Sequence, residues 1–202
     1  MSPGGGTASR QLSEAAIVDA AQQFTREVGV ERLTMRALAD ALGVSPMATY
    51  HYVKGRDQVL LLVVERVMTS VEVPPQRSDV SWDDRLWEYM RSMREALAAY
   101  PGISDFLLTQ ELTVAAKRYM EACITILEDG GFSPEEARAA FAVIYTFMWG
   151  GSVFLGVQNR RRAAGKRPAR AGRVPSVDEL ASLEVTEAGY RTIVAGIEGT
   201  HV

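Results

Sequence analysis

Residues 34 to 54, TMRALADALGVSPMATYHYVK, constrain the fold of this chain more tightly than any other stretch. Met35, Leu38, Ala39 and Leu42 recur at i, i+3, i+4 and i+7, which gives one apolar helix face. Thr34 precedes that run as an N-cap, where its hydroxyl accepts an orphan backbone N–H. Gly43 follows it, where the chain needs a residue that tolerates a left-handed conformation. Ser45 and Pro46 then read as the N-cap and first position of a second helix. Two short helices joined by a three-to-four-residue turn with Gly suit a helix-turn-helix, whose second helix enters the DNA major groove.

The pattern extends both ways. Ser13 caps an upstream helix with Ile17, Ala20, Ala21, Phe24 and Val28 on one face, ended by Gly29. Downstream, Tyr50, Tyr52 and Val53 lead through Lys54-Gly55 into a further helix beginning near Arg56. With Ile17, Ala20, Phe24 and Gly29, then Thr34, Leu38, Ala39, Leu42 to Ser45, and then Tyr50, Tyr52, Val53 and Lys54, residues 12 to 66 resemble the TetR family of transcriptional repressors. The resemblance implies DNA binding. Members usually carry leucine just before the first tyrosine of the third helix. Here Thr49 stands there, which is expected to loosen that helix or alter its tilt. Ser45, Pro46, Met47 and Ala48 open the recognition helix and are expected to meet base edges. Tyr50, His51, Lys54 and Arg56, with Thr34 and Arg36 from the preceding helix, are expected to meet phosphates. The same geometry also occurs as plain packing in helical proteins. Charge does not separate the two, since residues 10 to 56 hold six Lys/Arg and five Asp/Glu.

With 202 residues, 47% of them hydrophobic, the chain has room for a large core and one or two domains. Cys123 alone excludes an internal disulfide or a cysteine-based zinc site, and His51 and His201 supply no cluster of ligands. No metal or cofactor is expected, and a reducing cytoplasm is the natural setting. Residues 1–12, MSPGGGTASRQL, lack the apolar core of a signal peptide and read as a disordered leader. The helix-turn-helix domain is assigned to 13–55 and a ligand-binding and dimerisation domain to 56–202. Residues 160 to 173 hold seven Lys/Arg and no acid, which leaves 15 basic against 25 acidic residues elsewhere. Gly165, Pro168, Gly172 and Pro175 mark 160–175 as a flexible basic loop.

From Arg56 onward the periodicity is helical throughout, and the whole reads as all-α with about nine helices. Residues 139 to 157, AAFAVIYTFMWGGSVFLGV, carry no charge. A helix apolar all round is a core helix or a membrane span. The soluble-type cap at Ser133 and the amphipathic neighbours favour a helix that packs on its own domain with one face and on a second subunit with the other. The TetR resemblance makes it the eighth helix, forming a four-helix dimer bundle with the ninth, near 186 to 198. Phe147, Gly150, Gly151 and Phe154 on the first helix, with Tyr190, Ile193, Val194 and Ile197 on the last, are the expected dimer interface. A pocket for a small effector is expected among Trp87, Met90, Met93, Phe106 and Leu107, with Tyr119, Cys123, Tyr145 and Trp149 completing the wall.

No phosphate loop, GxSxG or HExxH occurs, and a Cys123–His51 dyad joins an apolar helix to the DNA-reading unit, so no enzyme is expected. The sequence therefore reads as a homodimeric regulator. It binds a pseudo-palindromic double-stranded operator and is released by an apolar or aromatic small molecule, with no membrane partner. A ligand-independent regulator or activator, and a helical dimer acting through protein contacts, remain alternatives. Salt-dependent, sequence-selective DNA binding separates the last from the others.

Overall fold

The computed structural model describes residues 12–166 and 173–200. Among them there are ten α-helices and one 3₁₀ turn, and no strand. The chain divides into two compact units, one up to Val63 and one from Val64, and the division falls inside helix α4 (Arg56–Thr69). It therefore lies downstream of the expected boundary before Arg56. Residues 1–11 of the expected leader, and 167–172 of the expected basic loop, lie outside the described residues.

The first unit contains α1 (Glu14–Val28), α2 (Met35–Leu42), α3 (Pro46–Tyr50) and the start of α4. Each of its first three helices is capped by the hydroxyl the sequence offers. Ser13 accepts from Ala16 N, Thr34 from Ala37 N and Ser45 from Ala48 N. Gly43 ends α2 at φ +67, a left-handed conformation that costs a side-chain-bearing residue energy. The apolar faces meet in a core of Ile17, Val18, Ala21, Leu33, Leu38, Val53, Val59 and Leu60, all buried. A fully buried Leu of this kind costs ~2–5 kcal/mol to truncate to Ala.

The second unit continues α4 and adds α5 (Trp82–Ala98), α6 (Ile103–Leu107), α7 (Val114–Asp129), α8 (Pro134–Ala163), α9 (Val177–Leu180) and α10 (Leu183–Thr200). The expected count of nine misses α9, one turn set by a Ser176–Glu179 capping box and too short to show a period. The last helix is accordingly the tenth and begins at Leu183, ahead of the expected start at Thr186. Helix α8 begins at the expected cap, where Ser133 and Glu136 form a capping box. It runs on to Ala163, so Arg160, Arg161 and Arg162 form its last turn and not part of a loop. Cations are favoured at that end by the helix dipole, and Arg160 also pairs with Asp105. The core is built from Leu86, Met90 and Met93 of α5, Cys123, Ile126 and Leu127 of α7, Ile144 and Met148 of α8, and Tyr190 of α10.

Candidate DNA-binding surface and effector cavity

Helix α3 has two unlike sides. Thr49 is fully buried, as is nearly all of Val53 just beyond the helix, while Met47 is 70% exposed. Ser45, Pro46, Tyr50 and His51 are also exposed, as are Thr34, Arg36 and Lys54, and Ala48 is half-buried. The Thr49 hydroxyl donates to Pro46 O at 2.7 Å, so this buried polar atom has its partner inside its own helix. Of the expected contacts, those on α3 and just after it and those at the start of α2 are exposed or half-buried; Arg56 differs.

Arg56 does not stand free to meet a phosphate. Its Nε donates to Leu33 O and its Nη2 to Val30 O, both at 2.9 Å, and Nη1 pairs with Asp57 at 2.9 Å. The guanidinium ties the start of α4 to the segment around the 3₁₀ turn Val30–Arg32, adding to the Leu33 N–H bond that Val30 O already accepts. Sequence spacing placed Arg56 beside the recognition helix and gave no sign that residues 23 and 26 positions upstream claim it.

In the second unit a cavity of about 320 Å³ opens between α5, α7 and α8. Met93, Leu107, Tyr145 and Trp149 line it, four of the nine expected residues. The other five lie elsewhere. Trp87 packs against Tyr190 with ring centroids 5.2 Å apart. Tyr119 and Met90 line a smaller hollow behind the cavity, and Phe106 lies half-buried on α6. Cys123 is fully buried, and burial pushes its thiol up to about 12 against the lowering effect of a hydrogen bond with Tyr119. It is a protonated core residue, not a wall of the cavity. Sequence reading missed Met68, Leu108 and Gln110, which come from a helix end and irregular backbone, and also Leu97, Ala116 and Met120, which lie on regular helices. Tyr145 and Trp149, one helical turn apart, stack at 5.9 Å and supply an aromatic floor.

Helix α8 is long and apolar enough to cross a membrane by length and composition, yet only 17% of that stretch is buried within the chain. Its outer stripe is Val143, Phe147, Gly150 and Phe154, at i, i+4, i+7 and i+11, with Val143 54% and Phe154 39% exposed. A side chain at Gly150 would meet nothing within 4 Å, whereas one at Gly151 would meet Thr186 Oγ1 at 3.4 Å. Gly151 therefore faces α10 of its own chain and is withdrawn from the expected interface. Tyr190 and Val194 are withdrawn too, because both are buried inside the protomer and the Tyr190 hydroxyl donates to Asp83 O at 2.7 Å. Ile193 and Ile197 are half-buried, and Phe147 leans on Gly189. The open face of α10 carries Val185, Ala188, Thr192 and Ala195, small residues whose heptad-like spacing was legible and overlooked.

Comparison with known proteins agrees with this architecture. Residues 17–63 match the family profile of bacterial regulatory proteins, tetR family. Residues 74–200 match that of the tetracyclin repressor-like C-terminal domain. An HTH-type transcriptional regulator of Saccharopolyspora erythraea is 30% identical over 161 residues, covering 79% of this chain and 68% of that one. The class A tetracycline repressor protein of Escherichia coli, from transposon 1721, is 28% identical over 200 residues, covering 93% and 91%. Among solved structures, the Streptomyces coelicolor TetR family protein ActR in complex with actinorhodin superposes with a TM-score of 0.72 at 25% identity, covering 94% and 98%. The fold and its helix-turn-helix define a DNA-binding transcriptional regulator. The chain belongs to the TetR family.

Proposed function

We propose that this chain is a homodimeric repressor that binds a pseudo-palindromic operator and leaves it when a small molecule fills the cavity of the second unit. The observation that carries the reading is the two-sidedness of α3. A helix with Thr49 fully buried holds Met47 70% exposed at its N-terminal end, the part of a recognition helix that meets base edges. Met47 and Ala48, with Ser45 and Pro46, read bases. Tyr50, His51, Lys54, Thr34 and Arg36 hold phosphates, and Arg56 instead sets the turn behind them. The cavity favours an effector-responsive protein over a ligand-independent one. The relative named for tetracycline and the solved structure in complex with actinorhodin support the same choice. The outer stripe of α8 and the small-residue face of α10 supply the dimer contact, and α4, which runs from one unit into the other, transmits the switch. The protein acts by binding, without chemistry of its own, in the cytoplasm where its operator lies.

Operator binding followed by fluorescence anisotropy across a salt series tests this. Lys54→Ala should weaken binding to all sequences alike and reduce the salt slope by about one unit. Met47→Ala should change which operator is preferred. Wild-type protein that binds every duplex equally, or none, refutes the reading.

A further inference from the structure

Among the described residues of the second unit, two buried side-chain donors lack acceptors. Arg94 is 9% exposed, and its Nη2 donates to Ala181 O at 2.7 Å, but its Nε has no partner. Trp149 Nε1 is likewise buried and unpartnered. Both residues line the same two small hollows, together with Leu97 and Ser152. One of these hollows shares Met93, Leu97, Tyr145 and Trp149 with the 320 Å³ cavity, so the orphan donors stand at its inner end.

No carboxylate settles Arg94. Its sequence neighbour Glu95 favours the charged form from an exposed position and is paired with Arg91 at 2.8 Å. Asp105, in one of the hollows, is paired with Arg160. Burial lowers the Arg94 pKa, yet a guanidinium stays charged in proteins. A buried charge without a counter-ion is costly, and so is a buried N–H without an acceptor. Native structures keep such groups where something else completes them. Two orphan donors beside one space, one of them on a buried cation with no carboxylate paired to it, call for an acceptor-rich, negatively charged group. The larger space beside them is lined mostly by Leu, Met and aromatic side chains, with Gln110, Glu111 and Thr113 at its rim. Glu111 is exposed, where water screens its repulsion of an anion.

We propose that the cavity takes an amphipathic organic anion. Its apolar, aromatic body fills the space floored by Tyr145 and Trp149, and its carboxylate, phenolate or sulfonate head bonds Arg94 Nε and Trp149 Nε1. This rests on the effector reading above and adds the charge of the ligand and the residues that sense it.

A matched pair of probes tests it on the full chain by fluorescence titration: 1-anilinonaphthalene-8-sulfonate and its neutral counterpart N-phenyl-1-naphthylamine. Arg94→Gln should weaken the sulfonate about ten-fold or more and leave the neutral probe unchanged, since only the anion uses a charged hydrogen bond. Trp149→Phe keeps the aromatic floor, removes one donor, and should produce a smaller loss with the same selectivity. If Arg94→Gln fails to fold, Arg94→Lys keeps the charge without Nε and should still weaken the sulfonate selectively. Ala116→Trp, which fills the cavity, should abolish both probes. Equal losses for both probes in the Arg94 variants would reduce Arg94 to a packing residue and overturn the anion proposal while leaving the cavity as effector site. Sulfonate binding that survives Ala116→Trp places the dye elsewhere and also overturns it. If neither probe binds the wild-type protein, the effector-cavity reading falls, and the anion proposal with it.

Discussion

The two units close their polar groups over very different distances along the chain. Up to Val63 the side-chain bonds are local. The hydroxyls of Ser13, Thr34, Ser45 and Thr49 each serve a backbone group three residues away, and Arg56 reaches Val30 across 26 positions. The second unit has local caps as well, but other bonds tie its helices together. Arg94 reaches Ala181 across 87 positions, Tyr190 reaches Asp83 across 107, and Arg160 reaches Asp105 across 55. Local bonds specify a rigid small shape from adjacent residues. Long-range bonds, each closing a long loop, let one bundle carry a different cavity in each protein that uses it.

The largest test of that contrast is Gly150→Arg. Because nothing lies within 4 Å of a side chain at Gly150, the protomer should fold normally. A charge in the centre of an apolar stripe should prevent pairing. The expected result is a monomer by light scattering, with operator affinity lower by about 100-fold or more, since one half-site no longer benefits from its linked twin. A normal dimer with full DNA binding places the interface elsewhere.

Tyr190→Ala tests the long-range ties inside the protomer. It removes a fully buried ring packed on Trp87 and leaves Asp83 O without its partner. Urea denaturation followed by circular dichroism should show a loss of ~3–5 kcal/mol. A loss below ~1 kcal/mol would mean that the bundle repacks around the gap and that the contrast between the units is overstated.

These distances also explain what the sequence disclosed. Helix starts and stops in the first unit were readable because Thr34, Gly43, Ser45 and Pro46 act on their immediate neighbours. The all-α class and the cap at Ser133 were readable for the same reason. The cavity wall was legible only in part, at four of its thirteen lining residues. Met93, Tyr145 and Trp149 face it from regular helices, but so do the missed Leu97, Ala116 and Met120, because a helical period does not say which apolar side chain borders a cavity and which fills the core. Leu108 and Gln110 come from irregular backbone that carries no period. Tyr190 and Val194 were misassigned because an apolar stripe does not say which partner covers it, the chain's own α5 or a second copy. Arg94 gave no signal, since a lone arginine on an amphipathic helix reads as a solvated charge until its neighbours from α8 and α9–α10 are in place.

Arg56→Met asks whether the first unit depends on the longer ties that Arg56 makes. The variant keeps an unbranched side chain but leaves the Val30 and Leu33 carbonyls without their shared donor. The loss should be about 2 kcal/mol, the size of hydrogen bonds to a half-exposed charge. It should appear in hydrogen exchange as faster opening of residues 29–38. If stability holds while operator affinity falls and the salt slope drops by about one unit, Arg56 leaves Val30 and Leu33 to bind a phosphate, and its assignment as a positioning residue is wrong.

The smallest effect is expected at Thr49, where the first unit departs from its family. Thr49→Val keeps the shape and removes one donor whose acceptor, Pro46 O, lies in the same turn. The lost hydrogen bond and the gained apolar burial oppose each other, each worth about 1 kcal/mol, so the urea midpoint should hardly move. Operator affinity should not move either, because a residue with no exposed surface cannot touch DNA. Thr49→Leu, although it restores the family's residue, should do worse, because a fully enclosed site has no room for the added volume and overpacking costs ~1–3 kcal/mol. The order of the two variants is therefore informative. If Leu proves better than Val, the site collapses around Thr49 only because the residue is small, and the short helix α3 sits closer to its neighbours here than leucine at that position allows.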